Sequence, residues 1–226
     1  MKVAFDDIAH TYDEWYQTPL GRIVDKIETD LLFDLFKIAE GDLIIDAGCG
    51  TGNFSLKLAC KGARVVGVDI SLRMLTIARE KAAHEGLDVD FVEMDLHRLG
   101  FPNDTFDGAV SVTTFEFLMD PNKAFSELMR VLKPGGQLLI GTINRESPWG
   151  ELYMRQAERP DSIYRHAKFM TLEELINLDK DRLERTGECL FIRPDCSLEE
   201  INVETEKLCQ AEGKGGFIAA LLKKPL

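Results

Sequence analysis

"DLIIDAGCGTGNFSLKLACKGARVVGVDIS", residues 42–71, carries a strand, a glycine-rich turn, a helix and a second strand in thirty consecutive positions. The run "DLIIDAG" is short and apolar, as a buried strand is, and "ARVVGVD" repeats that character after the helical stretch "TGNFSLKLACKG". A strand that returns through a helix must lie parallel to its predecessor, so this stretch predicts a crossover unit of a parallel sheet.

The same alternation extends downstream. "SLRMLTIAREKAAHEG" predicts a helix with Ser71 as N-cap and Gly86 as its stop, followed by strands at "VDFVEMD" and "FDGAVSV". Asp120 can cap the helix "DPNKAFSELMRVLK", with Pro121 at its first position, and "KPGG" is expected to end it before a fifth strand, "QLLIGTI". Upstream, Ile23, Ile27, Leu31 and Leu35 recur every four residues and mark an amphipathic helix running to about Gly41. Near the C-terminus two capping boxes, Thr171 to Glu174 and Ser197 to Glu200, are expected to open helices, and "ECLFIR" and "GFIAALL" read as strands six and seven. Between strand five and Thr171 lies "NRESPWGELYMRQAERPDSIYRHAKF", charged, aromatic and without clear periodicity; it reads equally as a lid or as a surface insertion.

Composition narrows the classes of function. With 226 residues and 45% of them apolar, the chain can bury a large core. Its 39 acidic residues against 27 Lys and Arg give a net charge of −12, which repels nucleic acid and anionic membrane surfaces. "MKVAFDDIAHTYDEWY" has no apolar core and no run of about 18 uncharged apolar residues occurs, so a cytoplasmic protein is expected. The five cysteines, Cys49, Cys60, Cys189, Cys196 and Cys209, are odd in number and irregular in spacing, which favours free thiols over disulfides or a metal site.

The glycine turn selects the ligand. In an open parallel sheet ligands sit beyond the carboxyl ends of the strands, at the first strand-to-helix turn. "DAGCGTGN" places Gly48, Gly50 and Gly52 two apart, and the residue two places after Gly52 is Phe54; the GxGxxG spacing of dinucleotide sites is not met at its third glycine. A pyrophosphate favours a helix N-terminus free of carboxylates. A cofactor bearing an ammonium and a sulfonium instead gains from a carboxylate such as Asp46. Asp69 ends the second strand, where it can accept both hydroxyls of a ribose, and Asp95 ends the third, where it can accept an exocyclic adenine amine. Each aspartate alone could equally be a helix cap or a turn residue. Three in register with the glycines trace an adenosine with an amino-acid tail.

"LIIDAGCGTGNFSLKLA", "VVGVDIS", "FVEMDLHRLGFPNDTFDGAVSV" and "RVLKPGGQLLIGT" together resemble the ordered motifs of class I S-adenosylmethionine-dependent methyltransferases, in the small-molecule branch that includes quinone C-methyltransferases. The resemblance covers residues 40–142. It implies a Rossmann-like three-layer α/β sandwich whose seven-stranded sheet is mostly parallel with an antiparallel last strand, covered by N-terminal helices. It implies S-adenosyl-L-methionine as cofactor and a small organic molecule as methyl acceptor. The glycine block Gly48, Cys49, Gly50 and Gly52, following Asp46, would take the methionine end; Asp69 would hold the ribose, Ile70 pack on the adenine, and Asp95 with Leu96 read its edge. The chain then divides into a helical lid (1–40), a cofactor core (41–142), an acceptor-side insertion (143–170) and C-terminal strands and helices (171–226), all in one domain. Tyr12, Trp15 and Tyr16 are candidate lid residues and Tyr16 the candidate cofactor contact, although aromatics that pin a terminal helix to a core look the same.

The segment facing the acceptor reads "SVTTFEFLMDP". It departs from the Asn-Pro-Pro-aromatic signature of amino-group methyltransferases, since Val112, Thr113 and Thr114 fill those positions, and from the histidine pair of the quinone branch, replaced by Glu116 and Phe117. Glu116 can be a buried base, a charge that holds a cationic acceptor, or an exposed glutamate at a helix start. His166 in "IYRHAKF" can be a base at neutral pH or a surface histidine, while His10, His84 and His97 read as structural. A cofactor-binding partner or sensor without turnover, a protein or RNA methyltransferase and an NAD-dependent dehydrogenase are the competing functions; glycine spacing disfavours the last.

Overall fold

Strands covered on both faces lose the alternation of apolar and polar residues, and two segments show it: Ile44 to Ala47 and Phe217 to Leu222 are buried without a break. The computed structural model describes residues 5–197, 199–210 and 213–226. Among them, β1 (Leu43–Ala47), β2 (Arg64–Asp69), β3 (Val89–Glu93), β4 (Phe106–Val112), β5 (Leu132–Ile143), β6 (Leu183–Cys189) and β7 (Phe217–Lys223) form one sheet in the order β3-β2-β1-β4-β5-β7-β6. The first five are mutually parallel, and β7 runs antiparallel between β5 and β6.

Helices cover both faces. On one side α2 (Pro19–Leu35) and α3 (Asn53–Cys60) pack Val24, Leu32, Leu35 and Leu58 against Ile44, Val65, Val110, Leu139 and Phe217. On the other, α5 (Pro121–Val131) and α7 (Leu172–Ile176) pack Phe125, Leu128 and Leu175 against Ile45, Ala109, Leu138, Ile140 and Ile218. α4 (Leu72–Glu85) closes the β2-β3 edge with Leu75 and Ala78 against Phe91. A four-residue α1 (Glu14–Gln17) precedes α2, α6 (Pro148–Ala157) follows β5, and α8 (Val203–Cys209) precedes β7.

Capping chemistry acts where the sequence puts it. Ser71 accepts from Met74 N and Gly86 closes α4 in a left-handed conformation; Asp120 accepts from Lys123 N; Thr171 and Glu174 form the reciprocal box. Four boundaries differ from expectation. α2 stops at Leu35 rather than near Gly41, because Phe36 is extended and buried in the core. "KPGG" belongs to the start of β5, where Gly135 N and O of Gly136 bond to Lys224. The sixth strand runs over Leu183–Cys189 and shares only Glu188 and Cys189 with the expected "ECLFIR": it begins earlier by pairing from Leu183 with β7, and it stops because Leu190 has φ +62° and the next two amides, Phe191 and Ile192, donate to the Glu206 carboxylate. Ser197 and Glu200 open no helix. Ser197 donates both its amide and its hydroxyl to Glu200 Oε2 at 2.8 Å, but the Glu200 amide donates to the Ser197 carbonyl and not to its hydroxyl, so the box is not reciprocal; Asn202, accepting from Thr205 N, caps the helix that follows. All five cysteines are free thiols, with Cys49 and Cys189 buried.

Candidate active site

Three glycines in succession, Gly48, Gly50 and Gly52, have φ of +78°, +54° and +79°, which turns the chain sharply at the end of β1. Gly48 N and Cys49 N donate to the Val68 carbonyl, tying the turn to the end of β2. Asp69 completes the frame: its Oδ2 accepts from Gly50 N at 2.9 Å and its Oδ1 from Ser71 N at 2.8 Å. One carboxylate therefore joins the glycine turn to the start of α4, and burial raises its pKa.

The turn opens into a cavity of about 630 Å³ that runs from the strand ends to a wall of aromatic side chains. Asp46, Gly48, Cys49, Gly50, Asp69, Ile70, Asp95 and Leu96 all line it, as does Tyr16. Asp46 is buried with Ser55 Oγ at 2.6 Å, and burial, with Asp69 contributing, pushes its carboxyl up to about 7. Asp95 accepts from the His97 amide at 2.9 Å and pairs with His97 Nδ1 at 2.6 Å, which holds it below the usual carboxylate range. His97 Nε2 accepts from Asp120 N, which fixes the proton on Nδ1 facing Asp95. Gly52 stands apart from its neighbours. It caps α3, and a Cβ there would meet Ala78 and Phe91 at 3.0 Å behind the turn.

The two candidate bases separate. His166 lines the cavity, with Ile163 beside it. Glu116 does not: its carboxylate is 1% exposed and accepts from Thr142 Oγ1 at 2.9 Å inside the core. It is neither an exposed helix-start residue nor a cavity wall. Burial pushes its pKa up to about 7 from the usual glutamate value. A carboxyl raised in the fold binds its proton more tightly there than in the unfolded chain. Its contribution to stability is then whole below the unfolded value near 4.3 and is lost as pH climbs to about 7. Glu116→Gln keeps an acceptor for Thr142, so its unfolding free energy should exceed the parent's by about 1 to 2 kcal/mol at pH 8 and by much less at pH 5. Urea titrations at both pH values measure this; an identical difference at each would mean that no charge is buried at this position.

Several residues of the site carry no sequence signal strong enough to have singled them out. Asp13 accepts from Thr51 Oγ1 at 2.7 Å, Asn53 Nδ2 at 2.9 Å and Lys81 Nζ at 2.8 Å, and Asp6 accepts from Ser71 Oγ at 2.6 Å. These bonds clasp residues 5–18 over the glycine turn; residues 1–4 of the expected lid lie outside the described residues. Asp25, Glu28, Thr29 and Leu32 of α2 also line the cavity, together with Lys57 of α3. Their i, i+3, i+4, i+7 spacing is one helical stripe, a signal that was present beside the apolar one. Phe5 stacks edge-on against Phe117 at 4.9 Å and approaches Tyr12 at 6.2 Å, while Phe117 meets Tyr164, itself 4.7 Å from Tyr153. A continuous row of rings thus joins the N-terminal segment to the insertion.

Residues 45–140 match the family model described as a methyltransferase domain. An uncharacterized protein of Methanocaldococcus jannaschii is 30% identical over 97% of this chain and 98% of its own length. A demethylmenaquinone methyltransferase of Clavibacter sepedonicus is 30% identical over 84% of this chain and 75% of its own. Among solved structures, an S-adenosylmethionine-dependent methyltransferase of Thermotoga maritima, described as a possible histamine N-methyltransferase, superposes with a TM-score of 0.76 at 27% identity, covering 98% of both chains.

Proposed function

The chain belongs to the class I S-adenosylmethionine-dependent methyltransferases, and we propose that it transfers a methyl group by in-line displacement to a small or medium-sized organic acceptor in the cytoplasm. The observation that supports this most is the cavity that begins at the glycine turn and Asp69 and continues among rings and ionisable side chains. Donor and acceptor can share it without crossing a wall.

The residues present suit S-adenosylmethionine. Gly50 has nothing within 4 Å of where a Cβ would stand, leaving room for a ligand against the backbone. Asp69, whose carboxylate accepts from two backbone N–H groups, stands beside the turn with Asp46, and a cation bound there would favour the ionised form of both. In this reading Asp69 takes the ribose hydroxyls, Ile70, Leu96 and Asp95 take the adenine, and Gly48, Cys49 and Gly50 take the methionine end, with Gly52 shaping the turn and Tyr16 closing it. The cofactor, when bound, supplies an electrophilic methyl group on a positively charged sulfur. The protein has to align the acceptor, exclude water and accept any proton the acceptor loses. His166 is available to a polar atom of the acceptor, whereas Glu116, set behind the wall, acts on the cavity through its field. The free thiols accord with a reducing compartment. Among the described residues no helix is long and apolar enough to cross a membrane.

Calorimetric titration with S-adenosylmethionine, S-adenosylhomocysteine and NAD tests the reading. Binding of the first two alone is expected, followed by release of S-adenosylhomocysteine with a member of an acceptor panel; binding without release from any acceptor would favour a sensor, and binding of NAD would overturn the cofactor. The clasp makes a second prediction. Asp13→Ala removes three bonds to the glycine turn and α4, so S-adenosylhomocysteine should dissociate roughly tenfold faster, about 1.4 kcal/mol. Stopped-flow recording of Trp15 fluorescence measures it, and an unchanged rate would show that the segment does not retain the ligand.

A further inference from the structure

The acceptor end of the cavity has an unbalanced charge. Lys57 Nζ lies 2.5 Å from Asp25 Oδ1 and 2.8 Å from Thr29 Oγ1, so its positive charge is already matched. Glu28, one turn along from Asp25 on the same stripe of α2, has no hydrogen-bond or ion-pair partner among the described residues, yet it lines the cavity. Tyr12 and Tyr16 stand close enough to feel its charge, Phe54 and Phe117 line the same cavity, and the nearby cation, Lys57, is already engaged by Asp25. Burial, and then Asp25, push its carboxyl up to about 8 against the opposing pull of Lys57. A lone carboxylate walled by aromatic rings offers little to an anionic or neutral acceptor. It offers a desolvated cation both a counter-charge and π faces.

We infer that Glu28 is the acceptor-side residue of this methyltransferase and that its acceptor is an amine, bound as the ammonium ion against the Glu28 carboxylate. The inference rests on the methyl-transfer reading of the cavity and adds the class of substrate. The ammonium R–NH3+ passes one proton to the Glu28 carboxylate. The nitrogen lone pair so freed forms the bond to the methyl carbon as that carbon's bond to sulfur breaks, and the bonding pair stays on sulfur as a neutral thioether. The product leaves as R–NH2+–CH3, and Glu28 returns its proton to solvent. Charge and atoms balance: two singly charged cations give one methylated ammonium, one thioether and one released proton. A group that exchanges its proton close to neutral pH suits this role, and a carboxylate already locked to a cation, as Asp25 is to Lys57, does not.

Matched probes test the assignment without requiring the natural substrate. The protein is first saturated with S-adenosylhomocysteine in a calorimeter and then titrated with pairs differing only in charge: 2-phenylethylamine against 2-phenylethanol, and butylamine against butan-1-ol. At least one amine should bind tenfold or more tightly than its alcohol. Glu28→Gln should remove that preference while leaving the affinities for S-adenosylhomocysteine and the alcohols in place. Asp30→Asn, which removes an exposed carboxylate of the same helix that pairs with Lys26 outside the cavity, should keep the preference. No preference for either amine in the parent protein, a preference that survives in Glu28→Gln, or one that disappears equally with Asp30→Asn would each overturn the inference. The first comparison needs no variant and so is independent of any folding defect. Failure of S-adenosylhomocysteine to bind in the opening titration would strike the methyl-transfer reading instead, which keeps the two failures apart.

Discussion

Gly48→Ala should lower the affinity for S-adenosylhomocysteine by about a hundredfold and the unfolding free energy by about 2 to 4 kcal/mol. The φ of +78° at this position already costs an L-residue about 1 to 2 kcal/mol. Sterics add the rest. A Cβ would stand 2.2 Å from Thr114 Cγ2, 2.3 Å from Oγ1 and 2.8 Å from Cβ. Thr114 cannot swing aside cheaply, because it is β-branched and its hydroxyl donates to the Gly48 and Val112 carbonyls, each at 3.1 Å, while Thr113 before it is already at φ +48°. Either the glycine turn or the β4 exit must move, and both line the cavity. Adding Thr114→Gly should recover the steric part alone, so the double-mutant cycle should show a favourable coupling above 1 kcal/mol in denaturant unfolding. Gly50→Ala is the contrasting case. Its Cβ meets no protein atom within 4 Å, so it should cost stability only through its φ of +54° while still obstructing the ligand. Equal stability and affinity of Gly48→Ala and the parent would mean that the turn is not held against β4 in the manner described.

That turn was the most legible part of the molecule, for a physical reason. A backbone that must take three left-handed residues within five positions leaves glycine as the only comfortable choice, and strands buried on both faces leave unbroken apolar runs. Asp46, Asp69 and Asp95 were legible because each is placed by its own strand end, a local feature. The rest depended on contacts across the chain. Asp13 became a site residue only because the N-terminal segment crosses over Thr51, Asn53 and Lys81, up to 68 positions away. Glu116 reads as a polar residue at the start of a 3-10 turn, and nothing local says that β5 would bring Thr142 above it. Glu28 was hidden by its own helix: the apolar stripe that marks α2 draws the eye to the core face, and the adjoining stripe turns toward a cavity whose other walls come from α3 and the segments after β4 and α6. Strand six was placed too late in the chain for a similar reason. "LFIR" has the composition of a strand, but a tertiary carboxylate, Glu206, takes the amides that a neighbouring strand would need.

Asp69→Ala should weaken S-adenosylhomocysteine binding by about 3 kcal/mol, more than a hundredfold. Two causes contribute, and they can be separated. The first is internal: without the carboxylate, Gly50 N and Ser71 N lose charged acceptors at 2.9 and 2.8 Å, and the glycine turn is no longer fastened to α4. The second is direct, the loss of an acceptor for the ribose hydroxyls. Asp69→Asn should be nearly as damaging, since an amide can accept only one of the two backbone N–H groups and presents its own N–H2 to the other. Comparing S-adenosylhomocysteine with its 2′-deoxy analogue divides the effect. In the parent protein the missing hydroxyl should cost roughly tenfold, because a buried carboxylate is left short of a donor; in Asp69→Ala it should cost almost nothing. A deoxy penalty of the same size in both proteins would show that Asp69 acts only by holding the turn, and unchanged affinity for the ribose form in Asp69→Ala would remove it from the site altogether. The structure favours both contributions together. Asp69 lines the cavity while its carboxylate is bonded to the turn, so a single substitution there is expected to act through both routes.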